Sequence, residues 1–245
     1  MLAIVGALNE ELRGLQRKMN VERMTTRQGL RVRLGTYHGL QVLLVQSGMG
    51  RQRAERAVSF ILDHYPVTAL LSFGFAGALR EDLGIGDIVV CSEICYKGGG
   101  PSECGAVVHW SDPGLASLSR GRAEAGVYLG TSVTVDRPVS TPIDKRALAA
   151  ACGAEVVDME GYWLARATSE RNIPFLAVRA VTDRLDDVLI PFDRALDGEA
   201  NWQWPRVIGI FARPSNIARL PGLYASTRRA GRNLAAWADY LMSRV

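Results

Sequence analysis

The stretch "TALLSFGFAG" (68–77) decides the fold expected of this chain. It is apolar along almost its whole length and ends in glycines, which is typical of a strand covered on both faces. "LAIVGA" (2–7) has the same character, and "QVLLVQSG" (41–48) is a similar run that breaks at its terminal glycine. Strands of this kind belong to sheets that carry helices on both sides.

The remaining segments alternate between strand and helix patterns. Further strands are predicted at 31–39, 86–96, 126–136 and 173–183. Helical spacing of apolar residues occurs at 51–65, 142–151, 159–172 and 216–243. Pro221 and Gly222 predict a division of the last segment into two helices. The alternation predicts a three-layer α/β/α fold with a central mixed β-sheet, and residues 1–245 contain no linker, so a single domain is expected.

Charge and hydropathy disfavour several classes of protein. The net charge is only +4, and no run of five like charges occurs, which favours scattered solvated arginines over a nucleic-acid surface. The opening "MLAIVGALNEEL" has no basic region and predicts a strand, not a signal peptide. The longest apolar stretch, 67–79, is too short to cross a bilayer. We therefore expect a cytoplasmic protein.

The four cysteines do not form a recognisable metal motif. They stand at positions 91, 95, 104 and 152. These spacings are wider than a typical zinc pair, and no histidine is suitably placed beside them. We expect free thiols and a reducing compartment, although four cysteines also permit a disulfide.

Three features follow predicted strands, where an α/β fold places its ligands. The first, "GALNEEL" (6–12), carries two adjacent carboxylates, which would also favour the start of a helix through its dipole. The second comprises "SGMG" (47–50) and "GFAG" (74–77), whose glycines either form tight turns or let backbone N–H groups approach an anion. Neither matches a P-loop or a dinucleotide-binding pattern.

The third feature combines "VVDME" (156–160) with "VRAVTD" (178–183). Asp158 is expected to cap or brace the helix that follows it. Asp183 ends a buried apolar strand, where its carboxyl would acquire the raised pKa that a general acid needs. The alternative is a turn aspartate that caps the next segment.

In this order, the motifs resemble the nucleoside phosphorylase and nucleosidase superfamily, which includes the methylthioadenosine/adenosylhomocysteine nucleosidases. The resemblance covers about three quarters of the chain and is most specific at the Met-Glu pair and the strand ending in aspartate. "SFGFAGAL" (72–79), "VTVDRPVST" (133–141), "VDME" (157–160) and the tail at 211–237 are most similar to the hopanoid-associated phosphorylases. The implied activity is cleavage of an N-ribosidic bond.

The resemblance also implies residue roles. Asp183 would donate a proton to purine N7, and Glu160 would accept hydrogen bonds from the ribose hydroxyls. Met159 would pack against the sugar, and Val139 lies where the family contacts the purine. Glu11 matches the carboxylate that activates water in the nucleosidases, with Glu10 as the alternative.

The glycine motifs supply the other implied contacts. Substrate-binding positions are expected at Ser47, Gly48, Gly74 and Phe75. The family often has Ser or Thr where Phe75 stands, so the usual phosphate contact is weakened. Arg51 and Arg53 are the alternative phosphate ligands, because a guanidinium can hold two oxygens. Phosphorolysis, with phosphate as co-substrate, and hydrolysis both remain open.

The resemblance implies adenosylhopane as substrate, with adenine released. The alternatives are a nucleosidase for a small 5′-substituted adenosine and a non-catalytic nucleoside-binding protein. An apolar slot for the hopanoid would be lined by aromatic residues. Those considered are Phe75, Tyr162, Trp163, Phe192, Trp202, Trp204 and Phe211. We expect no metal and no organic cofactor, a homodimer, no nucleic-acid partner, and transient contact with the inner membrane surface.

Overall fold

The computed structural model describes residues 1–98, 109–119, 126–190 and 220–244. The strands are β1 (Leu2–Gly6), β2 (Asn20–Arg27), β3 (Leu30–Tyr37), β4 (Leu40–Gln46), β5 (Ala69–Ala78), β6 (Ile88–Lys97), β7 (His109–Trp110), β8 (Val127–Val135), β9 (Val156–Asp158) and β10 (Phe175–Asp183). The helices are α1 (Asn9–Lys18), α2 (Arg51–His64), α3 (Pro113–Ser119), α4 (Pro142–Cys152), α5 (Gly161–Ser169) and α6 (Leu220–Met242).

Within the described residues, the ten strands form one mixed sheet in the order β10-β6-β8-β9-β5-β1-β4-β3-β2, with β7 beside β6. The central strand β5 pairs in parallel with β1 and β10 and antiparallel with the short β9. Because β10 also pairs with β6, the strands β5, β10, β6, β8 and β9 close into a ring. The predicted α/β fold with a mixed sheet is confirmed, and the ring is an addition that the sequence did not reveal.

Two apolar clusters cover the two faces of the sheet. Helices α2 and α5 pack on one face, where Leu70 of β5 is buried, and α1 and α6 pack on the other, where its neighbour Leu71 is buried. Successive side chains of a strand point to opposite faces, so a strand covered on both sides must be apolar at every position. The continuous apolar run of β5 has this cause.

The predicted strands and helices agree with the observed bounds to within three residues, except at the C-terminus. There, the prediction of a break at Pro221 and Gly222 is wrong, because α6 runs from Leu220 to Met242 without interruption. Pro221 lies in the first turn of the helix, where its missing N–H has no intrahelical partner to lose. The edge strand β2 was missed because most of its residues are exposed and lack an apolar pattern.

The cysteines differ from the expectation of free thiols. Cys91 and Cys95 are free and buried, but Cys152 is disulfide-bonded, and Cys104 lies outside the described residues. No helix in the described part of the chain is long and apolar enough to cross a membrane. The single domain over residues 1–245 stays a prediction.

Trp237 tests the packing of α6 on the sheet. Its side chain is 1% exposed, and its ring lies edge-on to Phe73 at a centroid distance of 5.8 Å. Trp237→Ala should lower the free energy of unfolding by about 3–5 kcal/mol, because it leaves a cavity between helix and sheet. Urea unfolding measures this. Tyr224→Ala, on the same helix but 64% exposed, should change it by less than about 0.5 kcal/mol; equal losses would contradict this packing.

Candidate active site

The predicted site residues gather at one edge of the sheet. Strands β1, β4, β5 and β10 are parallel, so their carboxyl ends lie on the same side. Glu11 follows β1, the "SGMG" turn follows β4, and Asp183 ends β10. Strand β9 pairs with the carboxyl end of β5 and leads directly into Glu160. Ligands of open α/β sheets bind at this edge.

Glu11 is a buried carboxylate held by backbone amides from two parts of the chain. Leu8 N donates to Oε2 at 2.8 Å, and Phe75 N donates to Oε1 at 2.9 Å. Burial raises the pKa of Glu11 to about 7, although these hydrogen bonds and the charge of Arg179 act in the opposite direction. Glu10 is exposed on α1. Glu11 therefore both caps α1 and presents a carboxyl group that titrates near neutral pH.

Glu160 stands across the site, immediately before α5. Gly50 N donates to its Oε1 at 2.6 Å. Gly50 has a φ of +92° and Gly48 a φ of +83°, a region that favours glycine, so the "SGMG" turn depends on these residues. Burial is the main cause that raises the pKa of Glu160 to about 8, and the charges of Asp158 and Glu11 add to the rise.

A buried ion pair lies beneath these two carboxylates. Arg179 Nε donates to Asp158 Oδ2 at 2.6 Å, and both side chains are at most 2% exposed. Asp158 also accepts from the Thr134 hydroxyl at 2.5 Å and from Gly161 N at 3.2 Å. Arg179 donates to Ser72 through both terminal nitrogens. The predicted bracing role of Asp158 agrees with these contacts.

Arg179 is a site residue that the sequence analysis missed. A Cβ placed on Gly74 would lie 3.4 Å from Arg179 Nη1 and 3.6 Å from Glu11 Oε1, so the absence of a side chain at Gly74 leaves both groups next to the same space. The signal was a charged residue inside the apolar strand "FLAVRAVTD" (175–183). A charge is rarely buried unless it is paired.

Asp183 is buried at the end of β10, with a donor for each carboxyl oxygen. Lys145 Nζ donates to Oδ2 at 2.5 Å, and the Thr182 hydroxyl donates to Oδ1 at 2.9 Å. Burial raises the pKa of Asp183, and the neighbouring ammonium group opposes the rise. A Cβ on Gly77 would lie only 2.9 Å from Asp183 Oδ2, so a larger residue there would displace the acid.

Lys145 was also missed. It is fully buried on α4, and a signal was present, because Lys145, Leu148, Ala149 and Cys152 occupy one face of the helix at spacings of three and four. A lysine in a stripe of small and apolar residues is unusual. The stripe alone does not indicate which acid is its partner.

Met159 and Val139 lie against the same part of the core, although they are 20 residues apart in sequence. Both are partly buried against one apolar cluster that includes Leu148 of α4. Ser47 is buried, and its hydroxyl lies 2.9 Å from the carbonyl oxygen of Gly48 and 3.3 Å from that of Gly6. The hydroxyl of Ser47 is thus engaged in the turn itself.

The two arginines predicted for phosphate have different surroundings. The Arg51 guanidinium lies 4.0 Å from the ring centroid of Trp163 and pairs with Glu55 at 3.2 Å, so it is held at the contact between α2 and α5. Arg53 is exposed, and its guanidinium lies against Gly48 in the glycine turn. Of the pair, only Arg53 reaches this turn in the described contacts.

The predicted apolar slot is only partly described. Tyr162 and Trp163 are 8% and 2% exposed and pack in the core with Tyr96, so their assignment to an open slot is wrong. Phe75 is half-buried against the α1 and α6 side of the sheet. The other four aromatic residues, at 192, 202, 204 and 211, lie outside the described residues. In the part of the chain that is described, no group of three or more His, Cys, Asp and Glu could hold a metal ion.

Residues 1–202 match the family model described as "Phosphorylase superfamily". The chain belongs to the phosphorylase superfamily. Two 5′-methylthioadenosine/S-adenosylhomocysteine nucleosidases are similar to this superfamily member. That of Shewanella pealeana is 27% identical over 212 residues, covering 78% of this chain and 90% of the relative. That of Bacillus licheniformis is 27% identical over 228 residues, covering 86% and 98%.

Solved structures of the superfamily share the fold. The 5′-methylthioadenosine/S-adenosylhomocysteine nucleosidase of Neisseria meningitidis, in complex with methylthio-immucillin-A, has a TM-score of 0.78 at 21% identity and covers 100% of this chain and 99% of its own. Futalosine hydrolase of Helicobacter pylori has a TM-score of 0.78 at 18% identity, covering 100% and 97%. The match of residues 1–202 confirms the predicted superfamily, and together with the nucleosidase relatives it confirms the class of enzyme, one that cleaves N-ribosidic bonds.

The ion pair under the site offers a stability test. Asp158→Asn would leave the Arg179 guanidinium buried without its counter-charge, so the free energy of unfolding should fall by about 3–5 kcal/mol. Urea unfolding at neutral pH measures the loss. The matched control is Asp186→Asn, whose ion pair with Arg146 is exposed and should contribute less than about 1 kcal/mol. Similar losses in the two variants would show that burial does not set the strength of the pair.

Proposed function

We propose that this superfamily member is a purine nucleosidase that releases adenine from a 5′-substituted adenosine by hydrolysis. The observation that carries the proposal is Glu11, a buried carboxylate between the amides of Leu8 and Phe75 with a pKa of about 7. A base with such a pKa is partly ionised at neutral pH and can take a proton from water. The relatives named above, which are nucleosidases, support the same reaction.

The reaction assigns one task to each of three carboxyl groups. As the bond between C1′ and N9 breaks, its electron pair moves onto the purine, and Asp183 donates a proton to N7. Glu160 accepts hydrogen bonds from the ribose hydroxyls and holds the sugar as positive charge develops on it. Water attacks C1′ and gives its proton to Glu11. The products are adenine and the 5′-substituted ribose.

The contacts made by residues in and beside the two glycine motifs favour hydrolysis over phosphorolysis. The N–H of Phe75 donates to Glu11, and Arg51 stacks on Trp163, so neither is directed to a phosphate. Of the two arginines predicted to bind phosphate, Arg53 beside Gly48 remains the candidate ligand. Incubation with and without phosphate distinguishes the two reactions, because phosphorolysis would yield a sugar 1-phosphate.

The 5′ substituent is proposed to be a small thioether, as in the names of the relatives. Adenosylhopane stays a prediction that rests on the resemblance of the segments at 72–79, 133–141 and 157–160 and, more weakly, of the tail at 211–237. Adenine release from methylthioadenosine and from adenosylhopane, measured on the same preparation, separates the two substrates. We further propose a homodimer, a cytoplasmic location and contact with a membrane surface. Sedimentation tests the dimer, cell fractionation tests the location, and vesicle binding tests the membrane contact.

Asp183→Asn and Glu160→Ala should fail in different ways. Asp183→Asn removes the acid, so kcat for adenine release should fall by about 10²–10⁴-fold while nucleoside binding persists. Glu160→Ala removes the acceptor for the ribose hydroxyls, so binding itself should be lost. Calorimetric titration with methylthioadenosine and an adenine-release assay measure these effects. Full activity of Asp183→Asn would refute its role as general acid.

The pH dependence should report Glu11. A general base acts in its ionised form, so kcat/KM should fall as the pH decreases through about 7, the pKa of this carboxyl. Glu11→Gln cannot accept the proton and should lose activity at every pH. Glu10→Gln, the exposed neighbour, should keep the wild-type profile. A profile that stays flat well below neutral pH would exclude Glu11 as the base.

A further inference from the structure

Lys145 has no exposure to solvent, and its ammonium group donates hydrogen bonds to two acceptors. Nζ donates to Asp183 Oδ2 at 2.5 Å and to the carbonyl oxygen of Arg184 at 2.6 Å. Burying an ammonium group costs free energy unless it is paired, and an apolar side chain at this buried position would not carry that cost. Packing of α4 on the sheet alone would not require a charged side chain at position 145. The lysine therefore suggests a functional role at Asp183.

The geometry at Asp183 distinguishes its two oxygens. An ammonium group has only donors, so Oδ2, which faces Lys145, can only accept. Oδ1 faces the Thr182 hydroxyl, which also lies 3.3 Å from the carbonyl oxygen of Ala76. This hydroxyl donates to Oδ1 when Asp183 is ionised; when Oδ1 carries the proton, the hydroxyl can turn to donate to Ala76 and leaves the proton on Oδ1 free for a base. The acidic proton consequently belongs on Oδ1.

We propose that Lys145 is a positioning residue for proton transfer: it reserves Oδ2 of Asp183 as an acceptor and so places the acidic proton on Oδ1, which delivers it to the departing base. This inference rests on the proposed function. When the bond to the sugar breaks, N7 takes the proton from Oδ1 and Asp183 becomes a carboxylate. The ammonium of Lys145 stabilises that carboxylate, which regains a proton from solvent after adenine leaves.

The charges around Asp183 determine how the acid responds to loss of the lysine. Lys145 comes from α4, and Asp187 from the turn after β10, where its charge raises the pKa of Asp183. The neighbouring residues of β5 and β9 beside the Asp183 carboxyl group are Gly77 and Val157, whose side chains do not titrate. Among the described residues, Lys145 is the cation whose charge opposes the effect of burial on the pKa of Asp183. Without it, Asp183 should keep its proton to higher pH.

The test is the pH profile of adenine release from methylthioadenosine by Lys145→Met. We expect kcat/KM to fall about 10- to 100-fold, because a small misplacement of a reacting group can cost up to about 100-fold. The alkaline limb of the profile, where Asp183 loses its proton, should move to higher pH. In an Asp183→Asn background, Lys145→Met should cause no further loss, because the two residues act through one proton.

Two further variants separate this role from packing. Lys145→Gln keeps a donor for Oδ2 without the charge, so it should lose less activity than Lys145→Met and still shift the alkaline limb. Arg146→Met removes the neighbouring cation on α4, whose partner is the exposed Asp186, and should leave the profile unchanged. Thermal melting confirms that each variant is folded.

An unmoved alkaline limb in both Lys145 variants, or an equal loss in the Asp183→Asn background, would overturn the role of Lys145. If neither variant folds, Lys145 is needed for stability, and its proposed role in proton transfer is overturned as well. These outcomes leave wild-type turnover intact. If the wild-type protein releases no adenine from any 5′-substituted adenosine, the proposed function fails, and the role of Lys145 fails with it.

Discussion

The ion pair between Arg179 and Asp158 joins β10 to β9 beneath the candidate active site. Two charges removed from water are tolerated only when their remaining donors and acceptors are satisfied, and Thr134, Gly161 and Ser72 meet that need. Glu160 follows Asp158 by two residues, so fixing Asp158 also restricts where Glu160 can lie. The pair thus fixes the position of Glu160, the proposed ribose contact, relative to Glu11 and to the parallel strands.

Burial acts on three carboxyl groups, and their partners make them different. Glu11 accepts two backbone N–H groups, which limit the rise of its pKa to about 7. Glu160 accepts one and lies near two other acids, so its pKa rises to about 8. Asp183 faces the ammonium of Lys145 instead. One low-polarity site therefore holds acids with different proton affinities, which is how an acid and a base can operate at the same pH.

The ring closure of the sheet explains why these groups meet. Strand β9 is only three residues long, yet it pairs with β5 on one side and β8 on the other. The pairing brings Asp158 within reach of Thr134 on β8. It also turns the chain so that α5 begins at the carboxyl end of β5. Removing the short strand would separate the proposed ribose contacts from the proposed general base.

Much of this arrangement could be predicted from the sequence, because it depends on local patterns. The continuous apolar runs of β1, β5 and β10 reflect burial on both faces, and the motifs at 6–12, 156–160 and 178–183 carry the acids that face the site. The "SGMG" turn likewise requires its glycines at positive φ. Where a residue's surroundings come from its own strand or turn, composition and spacing were sufficient, whereas the roles of the acids were implied by the family resemblance.

Other features were decided only by the tertiary structure. Nothing near Lys145 in the sequence pairs it with Asp183, and nothing near Arg179 pairs it with Asp158. The stacking of Arg51 on Trp163 and the continuous course of α6 past Pro221 are of the same kind. A charge enters the interior only beside its counter-charge, and which residues become neighbours depends on the order in which the strands pair. That order is a property of the whole fold and not of any segment.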